Sequence, residues 1–250
     1  MFEFLTLPER TTKPRESGLT HVLDKGYSLD QVRQLMEVSG EYVDIVKLGW
    51  GTAAVTPNVK EKIALYQSYG VPVCFGGTFF EVCLRQNKLE EFLAVVRECE
   101  MECVEVSDGT IDIPEAEKIA ILRRLSKEFK VLSEVGSKDE SVVITPSTWI
   151  DSIKRELEAG AWKVITEGRE SGTVGIYRPS GDVKDGLLEE IRESFDASQL
   201  LFEAPIKKQQ AWFITQFGAN VNLGNIPPEE VISVETLRVG VRGDTLLHFH

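Results

Sequence analysis

Four glutamates close short apolar runs: Glu105 in CVEVSDG, Glu134 in KVLSEVGSK, Glu167 in KVITEGRESG and Glu203 in LLFEAP. A carboxylate at the end of an apolar run is costly to bury unless it faces a metal, an opposite charge or a substrate. The residue two places earlier is apolar in each case (Cys103, Leu132, Ile165, Leu201). Strand alternation therefore puts each carboxylate on the apolar face of its own strand. The same parity sets Lys47 with Ile45 and Asn222 with Asn220. A single strand-end glutamate is as readily structural as functional. Four at matching positions favour a site, with an ion-pair network through Lys47, Arg169 and Lys207 as the structural competitor.

Oxygen donors without histidine or cysteine partners suit Mg²⁺ better than zinc, and Mg²⁺ usually keeps waters and bridges to an anionic substrate. Glu105, Glu134 and Glu167 are the candidate ligands. Lys25, Lys47, Lys138, Arg169 and Lys207 all end or follow apolar runs. Together they suit a multiply charged anion, although each alone reads as a solvated loop charge. The glycines of GWGT, FGGT, SDGT and ESGTVG would let backbone N–H groups reach phosphate oxygens, or simply serve turns. ETLRVGVRGD offers Arg238 and Arg242 either as a phosphate grip or as part of a subunit-binding surface. His21 has the opposite parity from Val22 and Asp24 and is expected between strand and helix. Trp50 is expected in the core, with a pocket wall as its alternative place, and Cys99 in the core.

The elements that must hold these residues repeat along the chain. The carboxylates follow one another at intervals of 29, 33 and 36 residues, each the length of one strand and one helix. Ser28 and Gln31 form a capping box before Val32, Leu35 and Met36; Thr56–Pro57 and Pro114 open further helices. TPSTWIDSIKRELEAGA, GLLEEIRESF and KKQQAWFITQF continue the alternation, and NVNLGNI is an eighth strand. Alternating short strands and helices imply parallel pairing, and eight units without a linker predict a single (β/α)8 TIM barrel over residues 18–250. Residues 1–17, with Pro8 and Pro14, read as an N-terminal arm over one barrel end or a neighbouring subunit. A doubly wound sheet would carry GxGxxG after its first strand, where DKGYSLD stands instead.

With 250 residues, 42% of them hydrophobic, there is material for one large core. The net charge of −12 argues against nucleic acid or an anionic membrane as partner and leaves small anions to a local cationic pocket or a metal. No run reaches the roughly 20 apolar residues of a membrane span, and the N-terminus lacks a leader pattern, so a cytoplasmic protein is expected. Cys74, Cys83, Cys99 and Cys103 lack CxxC spacing and read as reduced, packed thiols.

In order along the chain, VLDKG, VKLGWGT, FGGTFFE, VEVSDGT, LSEVGSK, ITEGRESG, FEAPIKKQQ, NVNLGNI and ISVETLRVGVRGDT resemble the phosphosulfolactate synthase family. The resemblance spans about residues 18 to 245. It implies a (β/α)8 barrel that uses Mg²⁺ to add sulfite to phosphoenolpyruvate, giving (2R)-phospho-3-sulfolactate, a precursor of sulfolactate or coenzyme M. It also implies that the lysine after strand 5, Lys138, is the general acid, with Lys25, Lys47, Arg169 and Lys207 on the anions. A homo-oligomer is expected, as barrels of this size often associate. Two alternatives remain: another phosphoenolpyruvate or phospho-sugar lyase, or a non-catalytic binding protein, since relatives of the family include plant heat-stress proteins.

Overall fold

Short apolar runs flanked by helices become the staves of a barrel, because a strand buried on both faces needs a helix outside and side chains within. The computed structural model describes residues 2, 4–137 and 144–250. Its strands are β1 (Thr20–Asp24), β2 (Ile45–Leu48), β3 (Val73–Phe75), β4 (Cys103–Val106), β5 (Lys130–Val135), β6 (Lys163–Thr166), β7 (Leu200–Glu203) and β8 (Leu223–Ile226). They pair in parallel in the order β3-β2-β1-β8-β7-β6-β5-β4. Among the described residues no ladder joins β3 to β4, although the Cys103 thiol lies 3.5 Å from the Val73 carbonyl oxygen. The result is a nearly closed single-domain barrel, as the strand–helix repeat predicts.

The outer ring comprises α1 (Leu29–Ser39), α2 (Val59–Ser68), α3 (Gly77–Arg85), α4 (Leu89–Glu98), α5 (Glu115–Leu125), α6 (Pro146–Glu158), α7 (Asp185–Ser194), α8 (Lys207–Phe217), α9 (Val231–Arg238) and α10 (Leu246–Phe249). The Ser28–Gln31 capping box is present. After β3 the chain forms two helices where the sequence suggests one, and α3 begins at the second glycine of the FGGT motif.

Two apolar layers follow from strand parity. Val22, Val46, Val104, Val131, Val164 and Phe202 face the helices. Leu19, Ile45, Cys74, Cys103, Leu132, Ile165 and Leu201 form a separate cluster inside the barrel. His21 shares the inward parity of Leu19, and an added Cβ on the inward-facing Gly224 would lie 3.4 Å from its Nδ1, so His21 sits in the lumen. This corrects the expected place between strand and helix. It is Asp24, on the outward parity, that packs there, paired with Lys62 at 3.1 Å and the Tyr66 hydroxyl at 3.1 Å.

The N-terminal arm lies over the end of the barrel where the strands begin. Arg10 pairs with Glu235 (2.8 Å), Arg15 with Asp44 (3.0 Å), and Asp44 accepts the Thr20 N–H (2.8 Å). Arg238 is buried at this same end, donating to the carbonyls of Ala219 (2.7 Å), Val221 (2.6 Å) and Leu19 (3.1 Å). It therefore does not serve as a phosphate grip at the mouth; Arg242 pairs with Asp244 at 3.2 Å. Replacing Arg238 with Met leaves three buried carbonyls short of a donor. The expected loss is about 3 kcal/mol of unfolding free energy. A lower urea midpoint, with ligand binding at the opposite mouth unchanged, would register it.

Candidate active site

At the strands' C-terminal ends the inward parity places charge above the apolar plug. Lys47 of β2, Glu105 of β4, Glu134 of β5 and Glu203 of β7 are buried, as is Glu167 one residue past β6. They line one cavity of about 320 Å³. The Lys47 ammonium lies 3.2 Å from Glu105 Oε2 and 3.2 Å from Glu203 Oε1. The ion-pair network considered from sequence thus exists around Lys47. It does not extend to Lys207, which pairs with Asp244 at 2.9 Å.

Backbone donors fix these carboxylates. Gly77 N–H donates to Glu105 (2.6 Å), Gly168 N–H to Glu203 (2.9 Å) and Arg169 N–H to Glu167 (2.6 Å). The Ser107 hydroxyl stands between Glu134, at 2.8 Å, and Glu81 of α3. Gly77 is required by close approach: a Cβ there would lie 2.5 Å from Ser107 Cβ and 2.8 Å from Glu105 Oε1. The FGGT glycines are therefore read by packing against the carboxylate ring.

Burial opposes the charge on Lys47, but Glu105, Glu203 and Glu134 outweigh it and hold the pKa above the ordinary lysine value. Burial pushes Glu105 up to about 7; Lys47 draws it down, and Glu134 and Glu203 push it up again. The two directions agree physically, because one ammonium faces several carboxylates while Glu105 shares that ammonium with competing anions. Burial, reinforced by Lys47, holds His21 well below 6.5 and so neutral. His21, Cys74 and Glu105 bring ligand atoms within 4.8 Å of one another, and among the described residues no other such group of His, Cys, Asp and Glu side chains forms. Lys47 beside Glu105 works against a dication at that spot.

The expected site residues separate into floor and rim. Lys47, Glu105, Glu134 and Glu167 are buried floor; Arg169 lines the cavity from an exposed, left-handed position (φ 56°). Lys25 is exposed, with its ammonium 5.7 Å from the centre of the Trp50 ring, and Lys207 is exposed beside α10's approach. Lys138 lies outside the described residues. Trp50 is a half-exposed wall of the cavity, not core, because its left-handed backbone (φ 51°) turns it out of the strand. Asn222 belongs to the opposite end, accepting the Leu19 N–H and donating to the Leu200 carbonyl. Asn225 lines the mouth instead. Glu81, Ser107 and Asn225 went unrecognised; the SDG and LGN loops hold the only sequence signal for the last two.

A barrel mouth ringed by carboxylates suits many chemistries, and relatives narrow the choice. The family model described as (2R)-phospho-3-sulfolactate synthase matches residues 8–244. The chain belongs to that family. It is 44% identical over 244 residues to a phosphosulfolactate synthase of Bacillus subtilis, covering 96% of this chain and 97% of the relative. The Methanocaldococcus jannaschii phosphosulfolactate synthase is 46% identical over 236 residues, covering 92% and 94%. A more distant relative is the Arabidopsis thaliana protein HEAT-STRESS-ASSOCIATED 32, at 24% over 92% of this chain and 88% of its own. Among solved structures, 3-hexulose-6-phosphate synthase from Salmonella typhimurium superposes with a TM-score of 0.56 at 14% identity, covering 87% of this chain and 96% of its own, a likeness of fold. Membership in the synthase family makes this chain an enzyme of that kind, and no helix among the described residues is long and apolar enough to cross a membrane.

The electrostatics yield a pH prediction. Between about 4.5 and about 7 folded Glu105 keeps a proton that the unfolded chain has released, so this group lowers stability as pH rises through that window. Carbon-13 NMR of labelled glutamate should give it a midpoint near 7, moving higher in Lys47→Met because the ammonium drawing it down is gone. A midpoint at the ordinary 4.5 in both proteins would contradict the assignment.

Proposed function

We propose that the chain catalyses the Mg²⁺-dependent addition of sulfite to phosphoenolpyruvate, giving (2R)-phospho-3-sulfolactate. The carrying observation is the lining of a cavity of this family's barrel, where among the described residues Glu105, Glu134, Glu167 and Glu203 stand with the Lys47 ammonium. A multiply charged anion would be repelled from that floor unless a cation entered with it. Hard oxygen donors fit Mg²⁺. Glu105, Glu134 and Glu167 would hold it, Glu105 being held in place by Lys47 and the Gly77 N–H. When bound, Mg²⁺ supplies charge stabilisation for the substrate carboxylate as negative charge builds there.

The chain's own groups do the rest. Lys47 provides a fixed positive charge at the floor, and Arg169 at the rim reaches anionic oxygens, with Lys25 and Lys207 attracting the substrates from further out. The sulfur lone pair forms the C–S bond at the methylene carbon, the displaced π pair moves towards the carboxylate, and the adjacent carbon takes a proton. Lys138 supplies that proton, the role the family resemblance implies. The reading includes a cytoplasmic location, consistent with four free cysteines, and a homo-oligomer.

Phosphoenolpyruvate consumption should require sulfite and Mg²⁺ and cease with EDTA. No sulfite-dependent consumption at high enzyme concentration would sink the reaction. Lys138→Ala should lower kcat by at least about 100-fold while phosphoenolpyruvate still binds; near-normal turnover would remove Lys138 from the mechanism. Metal and anion binding without turnover of any phosphorylated substrate would favour the non-catalytic alternative.

A further inference from the structure

Leu23 and Trp50 are the apolar residues in the cavity's lining among the described residues; charged, amide, threonine and glycine residues make up the rest. They stand side by side, since an added Cβ on Gly49, the residue before Trp50, would lie 2.9 Å from Leu23 Cδ1. Leu23 is buried, so Trp50, 41% exposed, presents the accessible apolar surface of this corner.

The backbone holds Trp50 there at a cost. A bulky residue at φ 51° is strained, and such strain persists where the surrounding structure over-determines it, often at a ligand site. Hydrogen bonds fix the turn: the Gly49 N–H donates to the Asp24 carbonyl (2.8 Å) and the Gly76 N–H to the Leu48 carbonyl (3.0 Å). Gly76 lacks a side chain where the Trp50 backbone passes, because an added Cβ would lie 2.9 Å from the Trp50 nitrogen. The next residue, Gly77, holds Glu105, which pairs with Lys47, so the indole is anchored beside the charged floor. An aromatic face repels anions, and the Lys25 ammonium, 5.7 Å from the ring centre, offsets that repulsion.

We propose that Trp50 is the specificity-determining wall of the site, packing against the methylene carbon of phosphoenolpyruvate and limiting what that carbon can carry. The inference rests on the sulfite-addition reading above. The substrate's carboxylate and phosphate are drawn to positive charge, and its methylene is the one apolar group left for the apolar corner. A fixed wall there admits hydrogen on that carbon and excludes an alkyl group. One methylene too many in such a pocket is discriminated about 10- to 200-fold.

The test compares kcat/KM, with sulfite and Mg²⁺ present, for phosphoenolpyruvate and for its homologue bearing a methyl group on the methylene carbon, supplied as each geometric isomer. The unsubstituted protein should strongly prefer phosphoenolpyruvate. Trp50→Gly removes the wall and eases the backbone at positive φ, so its melting temperature should hold. For at least one isomer its ratio of homologue to phosphoenolpyruvate should rise at least about tenfold, with a smaller rise in Trp50→Phe. A ratio unchanged in both variants, parallel loss of both activities in Trp50→Gly, or equal use of the homologue by the unsubstituted protein overturns the specificity role and leaves the reaction standing. No sulfite-dependent turnover of phosphoenolpyruvate by the unsubstituted protein overturns both.

Discussion

The mouth depends on the buried ammonium of Lys47. Lys47 lies within ion-pair distance of carboxylates from strands on either side of the barrel, Glu105 on β4 and Glu203 on β7. Without it, several like charges would face one another in a space largely closed to water, and they would either take up protons or force the strand ends apart. With it, Glu105 and Glu203 share one opposite charge. The backbone donors of Gly77, Gly168 and Arg169 share in this by fixing carboxylate oxygens without adding a mobile charge.

Much of this was legible in the sequence because parity is a strong constraint. A residue two positions from Leu132, Ile165 or Leu201 shares its face, and the inner cluster contains those three residues together with Ile45, Cys74 and Cys103. The eight strands, their order of occurrence and the inward glutamates follow from that one rule. His21 obeys it as well. A place between strand and helix would require Val22 to face the lumen, and Val22 faces the helices.

The rest was hidden where the backbone departs from regular geometry. Trp50 and Asn225 both adopt positive φ outside glycine, so alternation could not say where their side chains point. The bulge in β8 brings Asn225, not Asn222, to the cavity wall, a shift that no periodicity encodes. Arg238 misled for another reason: its position late in the chain suggested the mouth, whereas α9 carries it back to the base, where it donates to carbonyls just before β1 and β8. Glu81 and Ser107 belong to a helix and a loop whose relation to β5 is set by packing, as the clearance at Gly77 shows.

The seam between β3 and β4 gives the barrel a topological property of its own. With ladders at every other junction, the sheet is in effect a rolled ribbon with two lateral margins brought together. Exposed margins invite another strand to add on, and proteins protect them by covering. Here α3, inserted immediately after β3, supplies the cover, and its first N–H reaches across to Glu105 on β4. The same short helix therefore seals the ribbon and orients a carboxylate at its mouth, so self-association through that margin and disorder of the site are guarded against by one contact.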